Sequence, residues 1–257
     1  MLFQSRAERR RKIYRRKGWW TGDTIHSVFD EAVAAAPERV ALVDPPDTEA
    51  IIGRTPQRLT YKALAGRVGA LAGRLQATGI GAGDRVLVQL PNTAELVILY
   101  LALSRLGAVI SPVPMQYGRH EINHAVKELD AKAIVTIGLF KGEAFAAGRY
   151  EALPDTVRRF VIDAELPGFD RLPMDEEASE DPAPATGRAE DLLTICWTSG
   201  TTGTPKGVPR HHAHWFAQTL AVKDAVPVDD GAVMLNPFPL TNMAALSGFF
   251  FFWPQIR

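Results

Sequence analysis

Short apolar runs alternate with amphipathic segments over most of this chain, and no other feature restricts the fold as tightly. The runs at 40–43, 85–90, 108–113, 133–136 and 160–162 are rich in apolar residues, many of them β-branched, and end at turn residues, as buried strands do. Helical signals lie between them. Thr24 precedes Ile25, Val28, Phe29 and Ala32, which predicts a capped helix over 24–34. Thr60 precedes Leu64, Val68, Leu71, Ala72 and Leu75 at helical spacing, and Gly79 stops the pattern. A strongly apolar helix is predicted over 94–106, closed by Gly107, and another helix over 119–130. Residues 44–58, rich in Pro, Asp and Gly, predict a loop or hairpin. Buried strands joined by helices of this length require parallel crossovers. The predicted class is therefore α/β, with layered parallel-sheet subdomains.

The 257 residues suit one large domain or two small ones. Lys plus Arg total 29 and Asp plus Glu total 29, so nothing global points to nucleic acid or an anionic membrane as partner. Basic residues do cluster at Arg6, Arg9, Arg10, Arg11, Lys12, Arg15, Arg16 and Lys17, but Gly18, Trp19 and Trp20 follow rather than an apolar leader core. This predicts a solvated basic arm or helix over 1–20, with binding to an anionic surface as the other use of such charge. The longest apolar stretch, 96–113, is interrupted by Arg105 and Pro112, and predicts a buried helix running into a buried strand rather than a membrane span. The single cysteine, Cys196, precludes an intrachain disulfide and suits a reducing cytoplasm. A first α/β subdomain is predicted over 21–172. The acidic, Pro-containing stretch 173–191 predicts an exposed linker, and 192–257 the start of a second subdomain. Within the latter, strands are expected at 192–197 and 232–235 and a helix at 213–225. The apolar run Phe249–Trp253 is an aggregation liability if left uncovered.

A glycine-rich turn follows the strand at 192–197 and carries the chemistry: Thr198-Ser199-Gly200-Thr201-Thr202-Gly203-Thr204-Pro205-Lys206-Gly207. Glycines let the backbone curl until successive N–H groups point at one anion. The five hydroxyls can donate to phosphate oxygens, and Lys206 adds positive charge. A multiply charged nucleotide tail suits such a cradle. The order of residues is not that of a P-loop, which needs Gly-Lys followed by a hydroxyl.

Thr198 to Gly207 resembles the signature loop of the adenylate-forming superfamily, which includes acyl-CoA synthetases, aryl-acid AMP ligases, luciferases and peptide-synthetase adenylation domains. Leu59-Thr60-Tyr61, Gly83-Asp84-Arg85-Val86, Leu90-Pro91-Asn92, Leu106-Gly107-Ala108-Val109 and Pro112 are similar to further family stretches. The leader, Tyr14 to Gly18 with Trp20 and Thr24, resembles the branch holding cyclohexanecarboxylate–CoA and dihydroxybenzoate–AMP ligases. The resemblance implies that a carboxylate attacks the α-phosphorus of ATP, with Mg²⁺ accompanying the nucleotide. Pyrophosphate then leaves, and a thiol, usually coenzyme A, takes the acyl group. It implies phosphate-binding roles for Thr198, Ser199, Gly200, Thr201, Thr202, Gly203 and Lys206. Thr201 and Lys206 would act on the reacting phosphates, with Lys206 following pyrophosphate as charge develops.

The family's Pro-x-x-His turn, which lines the acid pocket, corresponds to Pro239-Leu240-Thr241-Asn242, so Asn242 stands where the histidine usually does. The family's adenine loop, ribose-binding Asp, hinge and small C-terminal domain with its lysine have no counterpart up to Arg257. The resemblance thus implies an incomplete N-terminal domain that does not complete a turnover alone, with a separately encoded C-terminal half as a conceivable partner. The alternative is a catalytically inactive nucleotide-binding or regulatory module. Short, alicyclic or aromatic acids are favoured over long fatty chains. His211, His212 and His214 lack the i, i+4 spacing of helical metal ligands and read as packing at a helix entry; no metal site is assigned to protein side chains. Cys196 and Trp197 read as core.

Overall fold

The computed structural model describes residues 2–175, 185–198, 205–222, 225–226, 228–229 and 231–252. Helix α1 (Leu2–Arg16) carries the basic cluster. It turns back at Gly18 (φ +69°), so that Tyr14 packs on both Trp19 and Trp20. Helix α2 (Ile25–Ala35) opens as its sequence dictates. Thr24 Oγ1 accepts the Ser27 N–H at 3.1 Å and Ser27 Oγ accepts the Thr24 N–H at 2.9 Å, satisfying two N-terminal donors reciprocally. Strand β1 (Val40–Val43) follows. The expected loop at 44–58 instead contains a short helix, α3 (Thr48–Ile52), and leads into β2 (Arg58–Thr60), which pairs antiparallel with β1.

Thr60 caps helix α4 (Tyr61–Ala77), accepting the Ala63 N–H at 3.1 Å. Then come β3 (Arg85–Val88), α5 (Ala94–Arg105), β4 (Val109–Pro112), α6 (Arg119–Leu129) and β5 (Ala133–Ile137). A small hairpin, β6 (Leu139–Phe140) and β7 (Glu143–Ala144), precedes β8 (Arg158–Ile162) and β9 (Asp170–Leu172). The remaining elements are β10 (Leu192–Thr198), β11 (Lys206–His211), α7 (His212–Val222) and α8 (Met243–Phe252).

One seven-stranded sheet organises these parts, in the order β11-β10-β4-β3-β5-β8-β9. Every pair is parallel except β10 with β11. Both faces are covered, and the period of two shows which side chain meets which layer. Val86 and Val88 of β3, with Ala133 and Val135 of β5, enter a core built with α2, α4 and α5. Leu87 and Ile134 point the other way, into a second cluster with Ile122, Ala125 and Val126 of α6. Helix α5 is buried from Ala94 through Ser104, as its run of apolar residues from Leu96 to Leu103 requires, with Glu95 and Ser104 buried beside it.

The strand that follows the acidic stretch, β10, pairs with β4 at Thr194 and Ile110, so residues on both sides of that stretch share one sheet. At the described edges of the stretch Asp175, Ala185, Thr186 and Arg188 are exposed, while some of their neighbours pack against the fold. Met174 and Ala189 are buried, Thr186 donates its N–H to Arg105 O at 2.9 Å, and a Cβ on Gly187 would lie 2.6 Å from Ser104 O. The strand expected at 232–235 does not form. Residues 232–237 are irregular, with Val233 93% and Leu235 86% exposed. The expected helix at 213–225 runs His212–Val222. Among the described residues no helix is long and apolar enough to cross a membrane.

Candidate functional site

The glycine-rich turn joins β10 to β11 and leaves the sheet at the carboxyl end of β10. Because β10 runs parallel to β4, the turn stands on the edge where β3, β4 and β5 also end. In open α/β sheets that edge is where ligands bind. Ser199, Gly200, Thr201, Thr202 and Gly203 lie outside the described residues; Thr198, Lys206 and Gly207 lie within them. Thr198 and Lys206 are register partners across the hairpin, so the two ends of the loop are held side by side. The turn was expected to extend to Gly207, but Lys206 and Gly207 already belong to β11, with Lys206 exposed. Gly207 has a packing reason: a Cβ there would sit 2.8 Å from Ile195 Cγ2.

The incoming stem is fixed from β4. Trp197 Nε1 donates to Ser111 Oγ at 2.9 Å, and Ser111 donates to Ile195 O at 2.9 Å. Trp197 is thus a half-buried, hydrogen-bonded residue rather than a plain core ring. Cys196, behind it, is core: burial pushes its thiol up to about 11, beyond the range of a nucleophile at neutral pH.

A buried polar network shapes the same edge next to β4. Gln89 Nε2 donates to Pro114 O at 2.8 Å and Tyr117 O at 3.0 Å, while its Oε1 accepts Tyr150 OH at 2.6 Å. Tyr150 OH also meets Thr136 Oγ1 at 2.8 Å, and burial raises its pKa above the usual phenol value. This network holds the segment between β4 and α6 in place. Sequence reasoning passed over Gln89 and Ser111, although a polar residue inside an apolar strand run was the available signal.

Asn242 sits at the start of α8. Its N–H reaches Pro239 O at 3.1 Å, and its Oδ1 accepts the Ala245 N–H at 2.9 Å, an N-cap bond. The turn before it is tied to the first half of the chain. Asn92 Nδ2 donates to Phe238 O at 2.8 Å, Asn92 Oδ1 accepts the Leu240 N–H at 2.8 Å, and Tyr100 OH donates to Leu240 O at 2.9 Å.

The histidines form a packed joint. His212 Nδ1 accepts the Ile25 N–H at 3.1 Å, and His214 Nδ1 accepts the His211 N–H at 3.2 Å. The rings of Trp20 and His214 meet edge to face, and His26 bonds Ser104. Burial depresses all four imidazoles, His212 to about 3 and His214 to about 4. Far along the sheet, a cavity of about 260 Å³ is lined by Arg54, Glu95, Ile137, Leu139 and Asp163 among others. Burial raises both carboxyls there, and Arg54 pairs with Glu95. Among the described residues, none of the glycine-rich turn lines this cavity.

The chain is 27% identical over 239 residues to the medium-chain fatty-acid–CoA ligase of Escherichia coli, covering 91% of this chain and 41% of that protein. It is 31% identical over 214 residues to the salicyl-AMP ligase / salicyl-S-ArCP synthetase of Mycobacterium tuberculosis, covering 81% and 36%. Among solved structures, the inhibitor-bound N-terminal domain of FACL13 from M. tuberculosis superposes with a TM-score of 0.73 at 25% identity, over 91% of this chain and 55% of that one. Acetoacetyl-CoA synthetase from Streptomyces lividans shares the fold, with a TM-score of 0.76 at 20% identity over 89% and 37%. The chain spans about two-fifths of the length of such curated relatives. A profile of AMP-binding enzymes matches residues 29–254, and the chain belongs to that family.

Proposed function

We propose that this chain supplies the triphosphate-holding part of an enzyme that activates a small carboxylic acid as its acyl-adenylate and passes the acyl group to coenzyme A. The observation that carries this is the hydroxyl- and glycine-rich turn, pinned at both stems on the carboxyl edge of a parallel sheet in an AMP-binding family chain. Backbone N–H groups and the hydroxyls of Thr198, Ser199, Thr201 and Thr202 would hold the β- and γ-phosphates. Gly200 and Gly203 allow the close approach. Lys206 would neutralise the pyrophosphate as the carboxylate oxygen bonds to the α-phosphorus and the bridging P–O bond breaks. Mg²⁺ would accompany the nucleotide beside the hydroxyls of this turn and would supply further charge neutralisation there.

Asn242 lies on the turn that corresponds to the acid-pocket element and contributes an uncharged amide there. Its oxygen is engaged at the start of α8, so its role toward substrate is to shape the turn. The adenine and ribose sites would belong to the parts of the curated relatives that this chain does not span. A reducing cytoplasm agrees with the buried free thiol of Cys196.

The test is acid-dependent pyrophosphate release from ATP. The chain is assayed alone and together with the remaining family segments, against a panel of aromatic, alicyclic and medium-chain acids. Release in the combined sample that falls at least about 100-fold in Lys206→Ala supports the reading, given the usual cost of removing one transition-state charge partner. ATP binding without release in any sample would favour the nucleotide-binding module instead.

A further inference from the structure

The outgoing stem of the glycine-rich turn has a support of its own. His124, in the second turn of α6, places Nε2 3.3 Å from Pro205 O, and its ring meets Trp197 edge-on with centroids 6.1 Å apart. Pro205 lies one residue outside the β10–β11 ladder, which begins with Thr198 and Lys206. It has no N–H, so its carbonyl is its one backbone hydrogen-bonding group. A carbonyl only accepts, so His124 must carry its hydrogen on Nε2. The platform is firm. Glu121 Oε2 accepts the Gly118 N–H at 2.9 Å at the start of α6, and Ile122, Ala125, Val126 and Leu129 are buried beneath it.

We propose that His124 is a positioning residue for the phosphate-binding turn. Trp197 with Ser111 fixes the stem that enters residues 199–204, and His124 fixes the stem that leaves them. The turn is thereby spanned between two anchors on neighbouring elements, β4 and α6. With both stems fixed, less conformational entropy would be lost when the turn binds a polyphosphate. Release of the Pro205 anchor would leave the ladder intact and loosen the loop, a change read in anion affinity rather than in fold. This inference rests on the phosphate-holding reading given above.

The experiment titrates the chain with MgATP and, separately, with inorganic tripolyphosphate by calorimetry. His124→Phe keeps a ring against Trp197 and removes the donor. His124→Gln keeps a donor of similar reach. Lys206→Ala is the control for the loop itself, and thermal unfolding is followed for each variant. The expected result is about tenfold weaker binding of both ligands by His124→Phe, as loss of one hydrogen bond would give. His124→Gln should stay within about threefold of the parent, and both His124 variants should unfold within a few degrees of it. If Lys206→Ala weakens binding and His124→Phe does not, or if His124→Gln is as weak as His124→Phe, the positioning role is overturned and the loop reading survives. If the parent chain binds neither ligand, both fail together.

Discussion

Asn92 shows how much a single side chain can organise in this protein. Its amide clamps Phe238 O and the Leu240 N–H, backbone groups 146 and 148 positions away, and so sets where the Pro239–Asn242 turn lies. Asn92→Ala removes both bonds and leaves the Leu240 N–H in a half-buried place. A loss of about 1–3 kcal/mol is expected, measured by urea unfolding. Thr60→Ala, which deletes a local cap, should cost about 1 kcal/mol. The contrast explains what could be read in advance. Thr24 and Thr60 announce themselves because a cap and its partner lie three residues apart. Nothing near Asn92 in the sequence indicates a partner in the last fifth of the chain. Asn242 was legible only as a position in a family turn; its bond to Ala245 marks it first as a helix cap.

The elements were legible in proportion to how well their local pattern agreed with their final surroundings. Strands β3, β4, β5 and β8 and helices α4, α5 and α6 lie within a few residues of the predicted bounds, because periodicity and burial coincide there. Strand β11 was missed for a physical reason. Its sequence, Lys-Gly-Val-Pro-Arg-His, is poor strand material, and it becomes a strand because β10 offers it a ladder at the edge of the sheet. An edge is also where Pro209 can be accommodated. The reverse error occurred at 232–235, where Ala-Val-Met-Leu has strand character but no described strand pairs with it. Helix α5 gives a direct test of the core. Leu99 is fully buried in the main apolar core, so Leu99→Ala should cost about 2–5 kcal/mol in denaturant unfolding, with the value set by how far the site collapses. At the head of the same helix, Asp44 accepts the Ala94 N–H at 2.7 Å and pairs with Arg54 at 3.4 Å. A buried anion there complements the helix dipole.

At the scale of the whole molecule, two features organise the expectations: a histidine-rich joint and the proposed ligand edge. The joint is the packing of α1, α2 and the β11–α7 corner through His26, His211, His212 and His214. Burial is the largest cause of each depressed pKa, and Arg11, Arg105 and Arg210 add repulsion. The unfolded chain, with histidines near 6.5, binds more protons than the folded one as pH falls below neutrality. Stability from this joint is therefore complete above about pH 6.5 and is lost as pH falls toward the folded values near 3–4. The slope approaches about 1.4 kcal/mol per pH unit for each proton taken up. Glu95 and Asp163 act in the opposite sense, since their raised pKa values let the folded state hold protons more readily. His212→Asn, which retains an acceptor for the Ile25 N–H, should flatten the fall in urea midpoint between pH 6.5 and 4.5. An unchanged profile would remove His212 from this role.

The proposed ligand edge is the carboxyl end of β3, β4, β5 and β10, where the stems of the glycine-rich turn stand. Its position followed from the order of strand and turn in the sequence, whereas its supports at Ser111, Gln89 and His124 emerged only when the sheet brought them together. The most direct measurement is amide hydrogen exchange, read by mass spectrometry on peptides spanning Thr198–Gly207, with and without saturating MgATP. Slower exchange concentrated in those peptides, and abolished by Lys206→Ala, is the outcome expected if this turn cradles the phosphates. Unchanged exchange there at saturating nucleotide, or protection confined to another part of the sheet, would contradict the account.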